Sequence, residues 1–173
     1  MNQGWAIWLT GLPASGKSTV ARLTQESLRK LGINVQILES DTIRKVLTPN
    51  PTYSPEEREI FYSSLVYIGG LLSDNGVNVI FDATGNREKW RYAARKRFGK
   101  FMEVYLKCPL EVCRQRDPKG IYGLVNKGEA KFVPGVQQEY EEPNSPDVTL
   151  DCLKNPSELT EQLIKEMKNH GLI

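Results

Sequence analysis

Histidine is almost missing from this 173-residue chain, in which the only histidine is His170, three residues before the last. A histidine in the interior of the fold therefore cannot serve as a general base. Candidate proton acceptors are instead found among the carboxylates.

Cysteine is also scarce, with only Cys108, Cys113 and Cys152 and no C-x-x-C spacing. With so few cysteines and a single histidine, a zinc site is not expected. The pattern favours three reduced thiols, as in a protein of a reducing compartment.

Long hydrophobic runs and strong net charge are missing too. No apolar stretch approaches the roughly 20 residues that a membrane-spanning helix needs, and Met1 to Trp5 does not resemble the start of a secretion signal. The net charge of +2 is too small to favour binding to bulk nucleic acid or to an anionic membrane. We therefore expect a cytoplasmic protein with neither of these as a partner.

Short apolar runs that alternate with helical patterns predict a single α/β domain over residues 1–173. The predicted strands cover residues 6–9, 35–38, 77–81, 101–106 and 148–151. The predicted helices cover residues 17–31, 55–72, 88–97, 110–116 and 156–169. This alternation favours a doubly wound, mainly parallel sheet with helices on both faces, in which ligands bind beyond the carboxyl ends of the strands.

The residues after the first predicted strand fit the P-loop pattern G-x-x-x-x-G-K-[ST]. They are Gly11, Leu12, Pro13, Ala14, Ser15, Gly16, Lys17 and Ser18, and Thr19 continues into the predicted helix. In such a loop, backbone amides and the helix N-terminus hold phosphate oxygens, the lysine reaches the β- and γ-phosphates, and the next hydroxyl binds Mg²⁺. The sequence thus predicts ATP and Mg²⁺ as cofactors, with Lys17 as a catalytic residue and Ser18 as a metal ligand.

Two aspartates follow predicted strands and therefore belong to the same edge of the sheet. Asp41 follows the second strand, and Asp82 ends an apolar run as in a Walker B segment. One carboxylate can support Mg²⁺ while the other orients an acceptor hydroxyl and takes its proton. We assign Asp82 to the metal and Asp41 to the acceptor, with the reverse assignment left open, and count both as candidate catalytic residues.

Arginines near these carboxylates are candidates for binding an anionic acceptor. Arg44 lies one helical turn after Asp41 and can clamp an anion with two hydrogen bonds. Arg58 can do the same, although a solvated position on its helix is an equal alternative. Arg87 follows Asp82 closely and is assigned to the substrate, whereas the remaining arginines of the basic helix are expected to be mostly solvated: Arg91, Arg95 and Arg97.

Residues 119–142 fit neither helical nor strand periodicity. Long segments of this kind are usually functional lids or disordered regions. Three aromatic residues favour a lid, which we place at approximately residues 114–143: Tyr122, Phe132 and Tyr140. Arg114 is assigned to ATP, and Arg116 to the charge on the transferring phosphoryl group. A local ion pair between Arg116 and Asp117 is the alternative.

The run Arg116-Asp117-Pro118-Lys119-Gly120-Ile121-Tyr122 closely resembles the lid signature R-D-P-K-G-L-Y of adenylylsulfate kinases. The same family is resembled by residues 128–131, 135 and 140–143 and by the helix before the lid. The pair Asp41 and Arg44 also matches it. The resemblance implies a P-loop kinase that moves the γ-phosphoryl group of ATP to the 3′-hydroxyl of adenylylsulfate, as a Mg²⁺-dependent homodimer. It implies that Asp41 lies near that hydroxyl and Mg²⁺ and that Arg44 binds the phosphosulfate. It also implies substrate contacts from the lid segment, through Lys119 and Lys131.

The chain departs from this family where the acceptor binds. Phe61, Ser63 and Ser64 replace an asparagine and two arginines of the acceptor helix, and residues 39–44 replace D-G-D-N-[VI]-R. Residues 81–87 replace F-I-S-P-Y-R with a D-A-T-x-N-like stretch that resembles polynucleotide and other small-hydroxyl kinases. Two alternatives therefore stay open: a P-loop kinase of another small or nucleotide-linked hydroxyl acceptor, and a non-catalytic nucleotide-binding switch. The lid and the two aspartates favour an enzyme.

Overall fold

The computed structural model describes residues 3–173. Residues 1 and 2 lie outside the described residues. They belong to the predicted domain and to the segment in which no secretion signal was expected. The strands are β1 (Ala6–Thr10), β2 (Val35–Glu39), β3 (Asn78–Asp82), β4 (Phe101–Lys107) and β5 (Val148–Asp151). The helices are α1 (Lys17–Lys30), α2 (Ser40–Leu47), α3 (Pro55–Asp74), α4 (Glu88–Arg97), α5 (Leu110–Arg116), α6 (Ile121–Asn126) and α7 (Pro156–Asn169).

The five strands form one parallel sheet in the order β2-β3-β1-β4-β5. The predicted doubly wound α/β architecture is thereby confirmed. Register places Asp82 opposite both Leu9 of β1 and Glu39 of β2, so the carboxyl ends of these three strands lie side by side. The chain reverses its direction of winding around β1, which is where ligands bind in such folds.

The two faces of the sheet carry separate cores. On one face, Ile7 and Leu9 of β1 pack in a cluster with Val20 of α1 and Leu163 of α7. On the other face, α3 and α4 cover a largely aromatic cluster that includes Trp8. Because β1 is buried along its whole length, it reads as a continuous apolar strand, as central parallel strands do. Among the described helices, none combines the length and the apolar character that a membrane crossing demands.

Two short helices were not predicted. The helix α2 begins directly after β2, at the place where only a strand end was expected. The helix α6 lies within residues 119–142, so the expectation that this segment lacks regular structure is wrong over Ile121–Asn126. Gly123 lies inside this helix of 6 residues and weakens its sequence pattern.

The expectation of three reduced thiols is wrong, because Cys108 and Cys152 form a disulfide with a Cα–Cα distance of 5.2 Å. Lys107 and Asp151 are partners in the β4–β5 register, so the residues that follow them meet side by side. The separation of 44 residues hid this pairing from the sequence. Cys113 is buried and free, and burial raises the pKa of its thiol.

Thiol titration of the denatured protein should find one reactive thiol without reductant and three after reduction. Closing a loop of this length restricts the unfolded chain, so loss of the disulfide should lower the free energy of unfolding by about 2–4 kcal/mol. The double variant Cys108→Ser/Cys152→Ser should show this loss in oxidising buffer and should match the reduced wild type. Three thiols titrating before reduction would restore the original expectation.

Candidate active site at the carboxyl edge of the sheet

The loop between β1 and α1 turns sharply at two glycines. Gly11 has a φ of +150°, and a Cβ there would lie 2.7 Å from the carbonyl oxygen of Leu106. Gly16, with a φ of +103°, precedes α1, and no side chain caps the helix N-terminus. The first amides of α1 and the partial positive charge of the helix are therefore directed at the position of an anionic ligand.

The side chain of Lys17 is buried and folded back over this loop. Its Nζ donates to the carbonyl oxygens of Gly11, at 3.0 Å, and Leu12, at 2.8 Å. Burial lowers the pKa of Lys17, while the nearby carboxylates of Asp82 and Asp41 act in the opposite direction. A phosphate oxygen would be a stronger hydrogen-bond acceptor for this ammonium group than the two carbonyls are.

Asp82, at the end of β3, is only 4% exposed. Burial raises its pKa, against the attraction of Lys17 and a hydrogen bond with Ser18. A desolvated carboxylate gains from a neighbouring cation. Residues 3–173 contain no cluster of three or more His, Cys, Asp or Glu able to hold a metal. Ser18 and Asp82 therefore fit a Mg²⁺ ion that takes most of its ligands from phosphates and water.

Asp41 lies in the first turn of α2, close enough to Lys17 and Asp82 to influence the pKa of each. Its Oδ2 is 2.5 Å from Nζ of Lys119 in the lid segment, and both side chains are about half exposed, at 57% and 52%. An exposed ion pair of this kind contributes at most about 1 kcal/mol. A substrate can therefore replace Lys119 at the Asp41 carboxylate.

Arg44, one turn further along α2, is buried, with the residue 7% exposed. It stacks on the ring of Phe61, with 3.7 Å between its Cζ and the ring centroid, and its Nη1 lies 3.3 Å from Glu57. Its Nη2 is buried and has no hydrogen-bond partner among the described residues. Arg44 therefore has a donor nitrogen that could bind an anionic group.

Arg58 is buried as well, at 5% exposure, so the alternative of a solvated helix arginine is wrong. Its three donor nitrogens bind the carbonyl oxygen of Tyr53, Oδ1 of Asn86 and the carbonyl oxygen of Phe132. Burial lowers its pKa. Within residues 3–173 Arg58 forms no ion pair. Two neighbouring buried arginines thus have only Glu57 to balance them.

Two arginines of the basic segment differ in their burial. Arg87 is partly exposed and pairs with Glu139, at 2.9 Å, and Glu141, at 2.7 Å, so it holds the segment that returns from the lid. Arg91, expected to be solvated, is 1% exposed and pairs with Glu103 at 2.6 Å. The expectation fails for Arg91 because its partner lies on β4, outside the helix α4, and such a pairing leaves no local signature in the sequence.

The lid is tied to the P-loop by a hydrogen bond, since the Tyr122 hydroxyl donates to the carbonyl oxygen of Pro13 at 2.9 Å. Arg116 donates to the carbonyl oxygen of Cys152 at 2.8 Å, and the described residues show no ion pair between Arg116 and Asp117. Three further predicted site residues are exposed and make no side-chain hydrogen bond or ion pair within residues 3–173: Thr19, Arg114 and Lys131.

A part-buried pair of hydroxyl groups, those of Thr10 and Tyr140, was not predicted from the sequence. Thr10, the last residue of β1, donates to the carbonyl oxygen of Thr84 at 2.6 Å and lies 2.9 Å from the Tyr140 hydroxyl. Burial raises the pKa of Tyr140. Thr84 and Tyr140 are 74 and 130 positions from Thr10 in the sequence. The only available signal was the position of Tyr140 in the Y-E-x-P run.

Comparisons with known proteins agree with this geometry. A sequence profile of the adenylylsulphate kinases matches residues 3–151. The chain is 41% identical over 172 residues to a probable adenylyl-sulfate kinase of Pyrococcus abyssi, covering 99% of each chain. It is 35% identical over 167 residues to an adenylyl-sulfate kinase of Picosynechococcus, covering 96% of this chain and 93% of the relative. A Mycobacterium tuberculosis APS kinase solved with AMPPNP and APS superposes with a TM-score of 0.91 at 31% identity, covering 97% and 99%.

Proposed function

Since the chain belongs to the adenylylsulphate kinase family, we propose that it transfers the γ-phosphoryl group of ATP to the 3′-hydroxyl of adenylylsulfate, giving 3′-phosphoadenylylsulfate. The observation that carries the proposal is the buried Nη2 of Arg44, which has no partner within residues 3–173. A buried donor left unsatisfied costs about 1–3 kcal/mol. The phosphosulfate group of the acceptor would supply the missing partner.

The P-loop residues Gly11 to Thr19 would hold the phosphates of ATP. Lys17 would move its hydrogen bonds from the loop carbonyls to the β- and γ-phosphates, and the uncapped α1 N-terminus would stabilise their charge. Ser18 would bind Mg²⁺, and the burial of Asp82 beside Ser18 supports its assignment to the metal. The bound ion would neutralise phosphate charge and orient the γ-phosphoryl group.

Asp41 would orient the acceptor hydroxyl and take its proton. Its exposed position at the lid contact supports this role, because an acceptor entering there can replace Lys119 at the carboxylate. Displaced from Asp41, Lys119 would be available to the acceptor's charged groups. Arg116 would stabilise charge on the transferring group as the lid closes, Arg114 would face ATP, and Lys131 would lie with the acceptor.

Arg58 and Arg87 would serve the substrate by holding the walls of its site. Arg58 joins α3 to the carbonyl oxygen of Phe132, and Arg87 pairs with Glu139 and Glu141. Both contacts fix residues 132–141, in the second half of the lid segment. A cytoplasmic location and a homodimer remain predictions, and the disulfide disagrees with the reducing compartment on which the first of them partly rested.

We expect adenylylsulfate to be used with a raised KM. Phe61 and Ser63 stand where the family has polar and cationic groups, and groups that bind ground and transition states alike affect KM rather than kcat. Coupled ADP release with a panel of hydroxyl compounds measures this. The exposed Ser63→Arg variant should lower the KM for adenylylsulfate by about tenfold, the effect of one charged hydrogen bond, and leave the KM for ATP unchanged.

A second candidate is a P-loop kinase of another small hydroxyl acceptor. The observation in its favour is the loop after β3. There the carbonyl oxygen of Thr84 accepts a part-buried hydrogen bond from Thr10, and Oδ1 of Asn86 accepts a buried one from Arg58. No turnover at millimolar adenylylsulfate, together with turnover of another hydroxyl compound, would transfer the assignment to this candidate.

A further inference from the structure

Asn86 lies where three parts of the acceptor side meet. It follows β3 by four residues, is fully buried, and is flanked by the acceptor helix α3 and by residues 132–141, which we call the closing segment. Its Oδ1 accepts a hydrogen bond from Nη1 of Arg58 at 3.3 Å, and its Nδ2 donates to the carbonyl oxygen of Glu139 at 3.0 Å. The two polar atoms of its side chain thus bind two different segments, α3 and the closing segment.

The backbone around Asn86 extends the same junction. The amide of Glu141 donates to the carbonyl oxygen of Asn86 at 2.9 Å. Arg91 binds the carbonyl oxygens of Gly85 and of Glu141, the latter at 2.8 Å. Arg58 completes the connection through the carbonyl oxygen of Phe132 at 2.8 Å. The closing segment is therefore held near both of its ends by hydrogen bonds from Arg58, Asn86 and Arg91. Arg58 and Arg91 are themselves bonded to Asn86 and Gly85.

We propose that Asn86 is a positioning residue that couples acceptor binding on α3 to the placement of the closing segment. This inference rests on the proposed function only in that it concerns the same acceptor site. Arg58 is the element that both sides share, because it lies beside Arg44 and contacts the closing segment directly. Asn86 binds Nη1 of its guanidinium group, whereas the carbonyl oxygen of Tyr53 binds its Nε.

The amide chemistry of Asn86 suits this role better than a carboxylate would. An amide oxygen accepts a hydrogen bond from Arg58 without neutralising its charge, so the positive charge shared with Arg44 stays available to an anionic acceptor. An aspartate would pair with Arg58, and in its ionised form it would present a second acceptor to the carbonyl oxygen of Glu139 in place of the donor. One side-chain atom therefore decides both the charge of the site and the attachment of the closing segment.

The test compares Asn86→Asp with Asn144→Asp, which adds the same charge at an exposed asparagine just beyond the closing segment. Asn86→Asp should raise the KM for the acceptor by about tenfold or more, as expected for weakened binding by a charged group, and leave the KM for ATP within about twofold. Asn144→Asp should change neither. An unchanged acceptor KM in Asn86→Asp would overturn the proposal.

A double-mutant cycle separates positioning from a general loss of stability. If Asn86 acts through Arg58, the effect of Asn86→Ser on the acceptor KM should be largely absent in an Arg58→Lys background, because coupled residues are not additive. Additive effects would show that Asn86 has a structural role only. The serine variant also keeps a small polar group and serves if the aspartate variant does not fold.

Amide hydrogen exchange gives a readout that does not depend on which acceptor is used. In the free protein, Asn86→Ser should speed exchange in the closing segment, Glu141 above all, and leave β1 and α1 unchanged. Unchanged protection of the closing segment would overturn the coupling. Faster exchange there in a protein that does not phosphorylate adenylylsulfate would leave the coupling in place and remove only the proposed substrate.

Discussion

Replacing Lys17 by alanine should abolish phosphoryl transfer while the fold persists. Within residues 3–173 the ammonium group binds two carbonyl oxygens and the Ser15 hydroxyl and forms no ion pair, so it can be transferred to ATP phosphates without breaking one. Loss of one preorganised donor to a developing charge lowers kcat by about 10²–10³-fold. Coupled ADP release measures the rate. The rise in Tm that ATP and Mg²⁺ give the wild type by binding its folded state should also disappear.

Lys30→Ala is the matched control, because Lys30 is the exposed last residue of the same helix. It should keep both the rate and the nucleotide-dependent shift of Tm. The Lys17→Ala variant should show the circular dichroism spectrum of the wild type, since burial already disfavours the charged form of this side chain. Unchanged turnover in Lys17→Ala would remove the ATP site from the P-loop.

The P-loop and the order of strands and helices could be predicted because both depend on residues that are close together in the sequence. Gly11, Gly16 and Lys17 lie within seven residues, and their strand and helix are adjacent in the chain. The apolar run that ends in Asp82 likewise marks a buried strand and the carboxylate beyond it. Parallel pairing then follows from the alternation of elements, which brings the strand ends to one edge.

The parts that could not be predicted depend on residues far apart in the chain. The disulfide requires the β4–β5 register, which no spacing of cysteines reveals. Arg91 carries a charge that predicts exposure, and its burial depends on the ion pair with Glu103 and on hydrogen bonds to the carbonyl oxygens of Gly85 and Glu141. The burial of Arg58 similarly depends on Asn86 and on the carbonyl oxygen of Phe132, 74 residues away. Sequence periodicity describes one element at a time and contains none of these pairings.

The acceptor site was the least predictable part because this chain changes the groups on which recognition depends. Phe61 replaces a polar family position, and in the structure its ring supports the Arg44 guanidinium at 3.7 Å. A cation over an aromatic ring keeps its charge, with an attraction of about 0.5–2 kcal/mol. The substitution therefore removes one hydrogen-bonding group and at the same time orients the arginine that remains.

Asp41→Asn and Asp82→Asn should both lower kcat, but with different responses to Mg²⁺. The amide at position 41 can still orient a hydroxyl but cannot take its proton, and general base catalysis contributes about 10²–10⁴-fold. The amide at position 82 weakens support for the metal instead, so the rate should recover in part as Mg²⁺ is raised. Initial rates at saturating ATP and acceptor, measured across a Mg²⁺ titration, distinguish the two cases.

The structure gives a physical reason for this division. Asp82 is desolvated and lies close to Ser18, so its carboxylate gains from a cation that partly restores the lost solvation. Asp41 is half exposed and paired with Lys119, so solvent and an incoming acceptor both reach it. Glu26→Gln, an exposed carboxylate on α1, should leave the titration unchanged. Recovery of Asp41→Asn with Mg²⁺, but not of Asp82→Asn, would reverse the two roles, and a fall of less than about tenfold in both would exclude catalysis at these strand ends.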